Sequence, residues 1–278
     1  MSVINTNVKS LIAQNAATVN NRSLSKAMEQ LSTGKRINSA SDDAAGLAIS
    51  NRMTSQIKAL DQGVRNANDG ISMLQTAEGA TKEITNMLLR MRELSVQAAN
   101  DTYSSTDRTA IALEVTQLTT EVTRIANNAQ WNGMSVLGGN ASYSLMTFQV
   151  GTEGDANSTI TVGFSAMSSG ALAIAGATPL SFTTTAQAQG SIELLDTAIT
   201  TVDTFRSGLG ARINRLTAAA DNLSNVSLNT SESRSRIQDT DYAKATTELA
   251  RSQIIQQAAT AMLAQANQAP QSVLSLLR

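Results

Sequence analysis

The chain has 278 residues, with no cysteine, no histidine, two prolines and few aromatic side chains: one Trp, three Tyr and four Phe. Without cysteine there are no disulfides, thiolate metal sites or cysteine nucleophiles. Without histidine there is no imidazole base, no common zinc ligand and no Ser-His-Asp triad. So few aromatics leave a large globular core short of its usual filling. Charges of both signs are intermixed and sum to −1, so neither nucleic acid nor an anionic membrane surface is indicated as a partner. No apolar run approaches the roughly 18 residues of a membrane span, and the opening stretch MSVINTNVKS lacks the apolar centre of a cleavable signal peptide. These rules alone suggest cytoplasm and leave open export by a route without such a peptide.

What the chain does carry is two apolar repeats of seven-residue period, one toward each end. The first runs Ile57, Leu60, Val64, Ala67, Ile71, Leu74 and resumes at Ile84, Leu88, Met91, Leu94, Ala98. The second runs Leu195, Ala198, Val202, Phe205, Leu209, Ile213, Leu216, Ala219, Leu223, Val226. Steps of three and four make a narrow stripe along a helix, hidden from water only when another helix lies against it. A third stripe, Ile111, Val115, Leu118, Val122, Ile125, adds a helix to the same seam. The expected fold is mainly α: an elongated antiparallel coiled-coil bundle formed by the N- and C-terminal segments, with a small β-hairpin region in the middle. The intrachain seam is assigned to Ile57, Leu60, Val64, Ile71, Leu74, Leu88, Leu195, Val202, Phe205, Leu209, Leu216 and Leu223.

Outside the stripes lie two more helical arms, near 5–33 and 242–276. Ile4, Val8, Leu11, Ile12, Ala16 and Val19 share one side of the first, whereas Leu24, Ala27, Met28 and Leu31 have rotated to another. On the last arm Ile254, Ala258 and Ala261 mark one face, and Ile255, Ala259, Met262, Ala266 and Val273 the next. Helices apolar around most of their circumference need several neighbours. Those neighbours are either a large monomeric core or other copies of the chain; the shortage of aromatics favours copies. Contacts between subunits are therefore expected at Val8, Leu11, Ile254, Ile255, Met262 and Leu263.

Gly34 reads as a left-handed helix stop, and Ser39 to Asp43 as a cap for the next helix. Asp42-Asp43 has too few further oxygen ligands for a cation site, and Gly34-Lys35-Arg36 lacks the spacing of a phosphate loop. Past Asn128, Trp131-Asn132-Gly133 and Gly138-Gly139-Asn140 read as turns; Ser144 to Val150, Ile160 to Phe164 and Leu180 to Thr184 read as short strands. The expected divisions are inner arms at 1–44 with 237–278, a coiled-coil rod at 45–139 with 190–236, and exposed central hairpins and loops at 140–189.

The run Leu31 to Ile49, LSTGKRINSASDDAAGLAI, resembles the N-terminal signature of bacterial flagellin. Ser252 to Gln268, SQIIQQAATAMLAQANQ, with Pro270 to Leu274 after it, is similar to the C-terminal signature. The resemblance covers roughly 1–140 and 190–278. It implies an inner domain of paired terminal arms, a next domain of heptad helices, and stacking of subunits into a hollow helical filament that serves motility. It further implies unfolded secretion through the flagellar export apparatus, a chaperone for the C-terminal arm, addition beneath a filament cap, neighbouring hook-filament junction proteins, and an extracellular location. Arg90, Leu94 and Glu114 match positions at which flagellins meet the vertebrate Toll-like flagellin receptor; spacing alone makes Arg90, Arg92 and Glu93 a charged surface face.

No cofactor and no catalytic residue is expected. The alternatives are a hook-filament junction protein, an adhesin or glycan-binding protein on the same scaffold, and an enzyme carried on it. An enzyme needs a carboxylate pair or metal motif in 140–190, where only Glu153 and Asp155 occur; a sugar platform has only Tyr143, Phe148, Phe164 and Phe182.

Overall fold

The computed structural model describes residues 6–138, 145–175 and 180–276, with side chains as far as 268. Ile4, Gly139, Asn140, Tyr143, Ser144 and the side chains of Pro270 to Leu274, named above, lie outside the described residues. The chain is mainly α-helical: α1 (Val8–Thr33), α2 (Ala44–Ala98), α3 (Ser105–Asn128), α4 (Thr185–Gln238) and α5 (Tyr242–Leu276). Two small antiparallel sheets lie in the middle, β1 (Gln130–Trp131) with β2 (Met134–Ser135), and β3 (Leu145–Gln149) with β4 (Thr159–Gly163). The chain forms two compact units, Met1–Ile57 with Leu228–Arg278, and Lys58–Ser227. Their divisions fall inside α2 and α4.

In the Lys58–Ser227 unit, α2 and α4 run antiparallel. Ser227 Oγ donates to Asp61 at 2.9 Å, Leu223 lies beside Gly63, Leu216 beside Gly70, and Arg92 Nε donates to Asp196 at 2.5 Å. Leu60, Leu74, Leu88, Leu195, Val202, Leu209 and Leu216 are buried, while Val64, Ile71, Phe205 and Leu223 are half-buried. The stripe on α2 does not lapse between Leu74 and Ile84 as the large side chains suggest. Ala77 and Thr81 occupy the intervening seam positions fully buried, the Thr81 hydroxyl satisfied by the Ala77 carbonyl at 3.0 Å. Helix α3 turns back against α2, where Arg90 of α2 donates to Glu114 and Arg108 to the Ala98 carbonyl at 2.9 Å. Ser104 caps α3 in a reciprocal box with Asp107.

The β1-β2 hairpin turns on Asn132 and Gly133, both at positive φ (50° and 77°), the two-residue turn that suits strand twist. The stretch between 140 and 189 differs from its expected exposure. Ile160, Val162, Met167, Leu172, Ile174 and Phe182 are buried and continuous with the helical core. Leu180 to Thr184 is not a strand. Ser191 Oγ accepts from the Ser181 backbone N–H and donates to its carbonyl, so a helix side chain satisfies the polar groups a partner strand would have met.

Two glycines seven residues apart let the second hairpin reach α2. A Cβ at Gly63 would stand 2.8 Å from the Val150 carbonyl oxygen, and one at Gly70 would stand 3.1 Å from the Phe148 ring. Asn66 Nδ2 donates to the Gln149 carbonyl at 2.9 Å between them. Gly79, on the same helix, faces open space. Gly63→Ala is therefore expected to lower stability by about 1–3 kcal/mol through overpacking, whereas Gly79→Ala raises it by about 0.5–1 kcal/mol through helix propensity. Thermal melts of the two variants check the opposite signs; equal shifts would remove the hairpin contact from the account.

Candidate assembly surface

The Met1–Ile57 and Leu228–Arg278 unit is built on α1 and α5. Asn7 caps α1, its Oδ1 accepting from Ser10 N–H at 3.1 Å, and Asp241 caps α5 through the amides of Ala243 and Lys244. Helix α1 ends where Gly34 takes φ 69°. The chain after it is clasped to the end of α4. Arg36 N–H donates to the Gln238 carbonyl at 2.7 Å, Thr240 N–H to the Gly34 carbonyl at 3.0 Å, and the Arg36 guanidinium to the Ile237 carbonyl at 2.6 Å.

Asp43 and Asp42, adjacent in sequence, do different work. Asp43 Oδ1 accepts from Gly46 N–H at 2.8 Å and starts α2. Asp42 accepts from the Lys26 ammonium at 2.8 Å and from the amides of Asn38 and Ser39, partners that hold its carboxyl well below the usual carboxylate range. Much of the N-terminal signature run is thus the clasp that places the end of α1 beside the start of α5, over the buried Ile37.

The two arms pair antiparallel: Asn7 Nδ2 donates to the Ala266 carbonyl at 2.8 Å, Ser10 Oγ to Asn267 at 3.0 Å and Asn20 Nδ2 to the Ser252 carbonyl at 2.8 Å. The least exposed positions form a strict heptad row on each. They are Ser10, Ala13, Ala17, Asn20, Leu24, Ala27 and Leu31 on α1, and Ala245, Leu249, Ser252, Gln256, Ala259, Leu263 and Ala266 on α5. Most of these side chains are small or polar, which is why a search for large apolar stripes misses the row. A three- and four-step count over Ala, Ser and Asn was the signal that could have found it.

Four leucines, Leu24, Leu31, Leu249 and Leu263, belong to this row, whereas other large apolar side chains of the arms lie off it. Val8, Leu11, Ile12 and Val19 on α1, and Ile254, Ile255 and Met262 on α5, are exposed, Ile12 at 65% and Ile254 at 67%. Val8, Ile12, Ala16 and Val19 form a continuous open stripe. Leu263, grouped with them on sequence, is instead half-buried within the pairing row. The residues matched to a receptor contact sit elsewhere, in the other unit. Arg90 is held between Glu114 and Glu93 at 3.0–3.1 Å and half-exposed, while Leu94 is 3% exposed, in the core. Arg90 and Glu114 come together on the surface; Leu94 does not join them there.

Among the described residues, no group of three His, Cys, Asp or Glu side chains could hold a metal ion, and no helix is long and apolar enough to cross a membrane. The open apolar faces of the arms are the feature with a surface consequence, since apolar side chains at this exposure gain free energy by burial against a neighbour.

Residues 4–142 match the bacterial flagellin N-terminal helical region, and residues 192–277 the bacterial flagellin C-terminal helical region. The flagellar filament 33 kDa core protein of Treponema phagedenis is 42% identical over 285 aligned residues, covering 99% of this chain and all of the relative. A flagellin of Halalkalibacterium halodurans is 43% identical over 276, with the same coverage. The crystal structure of Bacillus cereus flagellin is similar at TM-score 0.50 and 34% identity, covering 57% of this chain and 88% of that one.

Asn20, 8% exposed in the pairing row, suits a residue that sets register at some cost in stability. Cysteines introduced by Ala13→Cys and Ala259→Cys, in a chain with no others, are expected to close an intrachain disulfide on oxidation. Adding Asn20→Leu should lower its yield by about twofold or more as other registers fill. An unchanged yield would show that Asn20 does not set register.

Proposed function

The chain belongs to the bacterial flagellin family and is a structural subunit of a flagellar filament, and from that premise we propose how its surfaces divide the work. The heptad seam of α2 and α4, at the residues assigned from sequence, holds one subunit together. The open faces of the arms, at Val8, Leu11, Ile254, Ile255 and Met262, hold subunits to one another. The observation that carries this reading is the separation within each arm of a mostly small or polar row, paired inside the chain, from a set of large apolar side chains that stand exposed among the described residues.

Leu263 moves from the second group to the first on this reading. The role of the subunit is structural, its free energy going into contacts. It acts outside the cell, reached through the flagellar export apparatus, with a chaperone covering the C-terminal arm before export and a cap guiding addition at the tip. Hook-filament junction proteins would meet the same arm faces at the filament base. Contact with a Toll-like receptor draws support from the exposed Arg90–Glu114 pair but not from Leu94, whose side chain a partner cannot reach without opening the core.

Removal of residues 242–278 is expected to leave the Lys58–Ser227 unit helical and to abolish polymer formation. Negative-stain microscopy with short seed fragments, beside circular dichroism, checks both halves. Filaments of normal length from the truncated chain would refute the assignment of the arms to subunit contact.

A further inference from the structure

We propose that the thioethers of Met28 and Met262 form a peroxide-sensitive modification site that decides whether a free subunit can join the polymer. The inference rests on the reading of the arms as subunit contacts. With no cysteine in the chain, methionine holds its only sulfur, and exposed thioethers are oxidised more readily than any other side chain it has. Of the ten methionines, Met28 and Met262 are the exposed ones among the described residues, at 50% and 65%. Met73, Met91 and Met167 are buried, and the sulfur of Met91 additionally accepts the Thr119 hydroxyl at 3.8 Å.

Both exposed sulfurs therefore fall on the paired arms, one on α1 and one on α5, and each flanks the pairing row without belonging to it. Met28 adjoins Ala27, with Leu24 and Leu31 one turn away; Met262 adjoins Leu263 and shares the face of Ile255. An unbranched, polarisable side chain adapts well to an apolar interface. Its sulfoxide does not, because the S–O dipole must be buried without a partner. The chemistry needs only hydrogen peroxide. A sulfur lone pair attacks one peroxide oxygen, the S–O bond forms as the O–O bond breaks, and the departing hydroxide takes the proton of the transferred oxygen to leave as water. Sulfur loses two electrons and peroxide gains them; a sulfoxide reductase reverses the change. Neighbouring subunits cover these sulfurs in the polymer, so the free subunit is the sensitive form.

The test treats full-length monomer and finished filaments with dilute hydrogen peroxide, maps sulfoxide by peptide mass, and measures elongation from untreated seeds. In the monomer, Met28 and Met262 are expected to oxidise at least about tenfold faster than Met73 and Met91, with elongation lost in proportion and restored by sulfoxide reductase. In the filament both should be protected. The Met28→Leu/Met262→Leu double variant, compared with its own untreated elongation rate, is expected to keep that rate after peroxide, with circular dichroism confirming its helical content. Unchanged elongation by monomer oxidised at both sites would overturn the proposal, as would equal oxidation in filament and monomer, or equal peroxide sensitivity of the double variant. Normal elongation by the chain lacking residues 242–278 would instead overturn the arm assignment itself.

Discussion

The antiparallel pairing of α2 with α4 is the constraint on which the Lys58–Ser227 unit depends. The two helices lie more than a hundred residues apart at Arg92 and Asp196, and bringing them together requires that loop-closure entropy be offset before any seam contact forms. The offset comes from length. Buried positions recur every three or four residues through the stripe, and small residues continue it where large ones stop, as Ala77 and Thr81 do. Once α2 and α4 are in register, α3 has a surface to fold back on, and Gly63 and Gly70 admit the β3-β4 hairpin to a position it could not reach over a Cβ. The ion pairs at Arg90 and Arg92 lie at the exposed margin of this arrangement and add little to it beyond orientation.

The arms obey the same heptad rule with different material. A row mostly of Ala, Ser, Asn and Gln, with four leucines, buries less apolar area per residue than the seam, so pairing within one chain is worth less there than between α2 and α4. Its value is geometric: close approach of two helices, Asn20 bonded across to the Ser252 carbonyl, and Val8, Ile12, Val19, Ile254, Ile255 and Met262 left exposed. On the proposed division of surfaces, weak pairing inside the subunit leaves the exposed apolar faces available for burial between subunits. The clasp formed by Gly34, Arg36 and Thr240 gives that arrangement a fixed starting point.

Most of the helical architecture was legible in the sequence because large apolar residues at heptad spacing announce a buried stripe without help. Leu60, Leu88, Val202 and Leu209 are of this kind, as are the turn at Asn132-Gly133 and the stop at Gly34. What escaped notice was carried by small or context-dependent residues. Gly63 and Gly70 read as weak helix positions until the hairpin backbone is seen against them. The rows from Ser10 to Leu31 and from Ala245 to Ala266 have too little hydrophobicity to register as a seam, so Leu263 groups by sequence with its exposed neighbours. Leu180 to Thr184 has strand composition, yet Ser191 supplies its hydrogen bonds. Burial of Met167, Ile174 and Phe182 was hidden in a stretch whose Gly, Ser and Thr content resembles an exposed loop.

The claim that the seam holds the subunit and the arms hold the polymer is tested most directly by amide hydrogen exchange on the same chain before and after polymerisation. The account predicts that amides of α2 and α4 within 58–227 are strongly protected in the monomer and change little on assembly. Those of α1 and α5 should exchange readily in the monomer and become protected in the filament. Arms as well protected as the seam in the free subunit, or a seam that gains protection only on assembly, would contradict it.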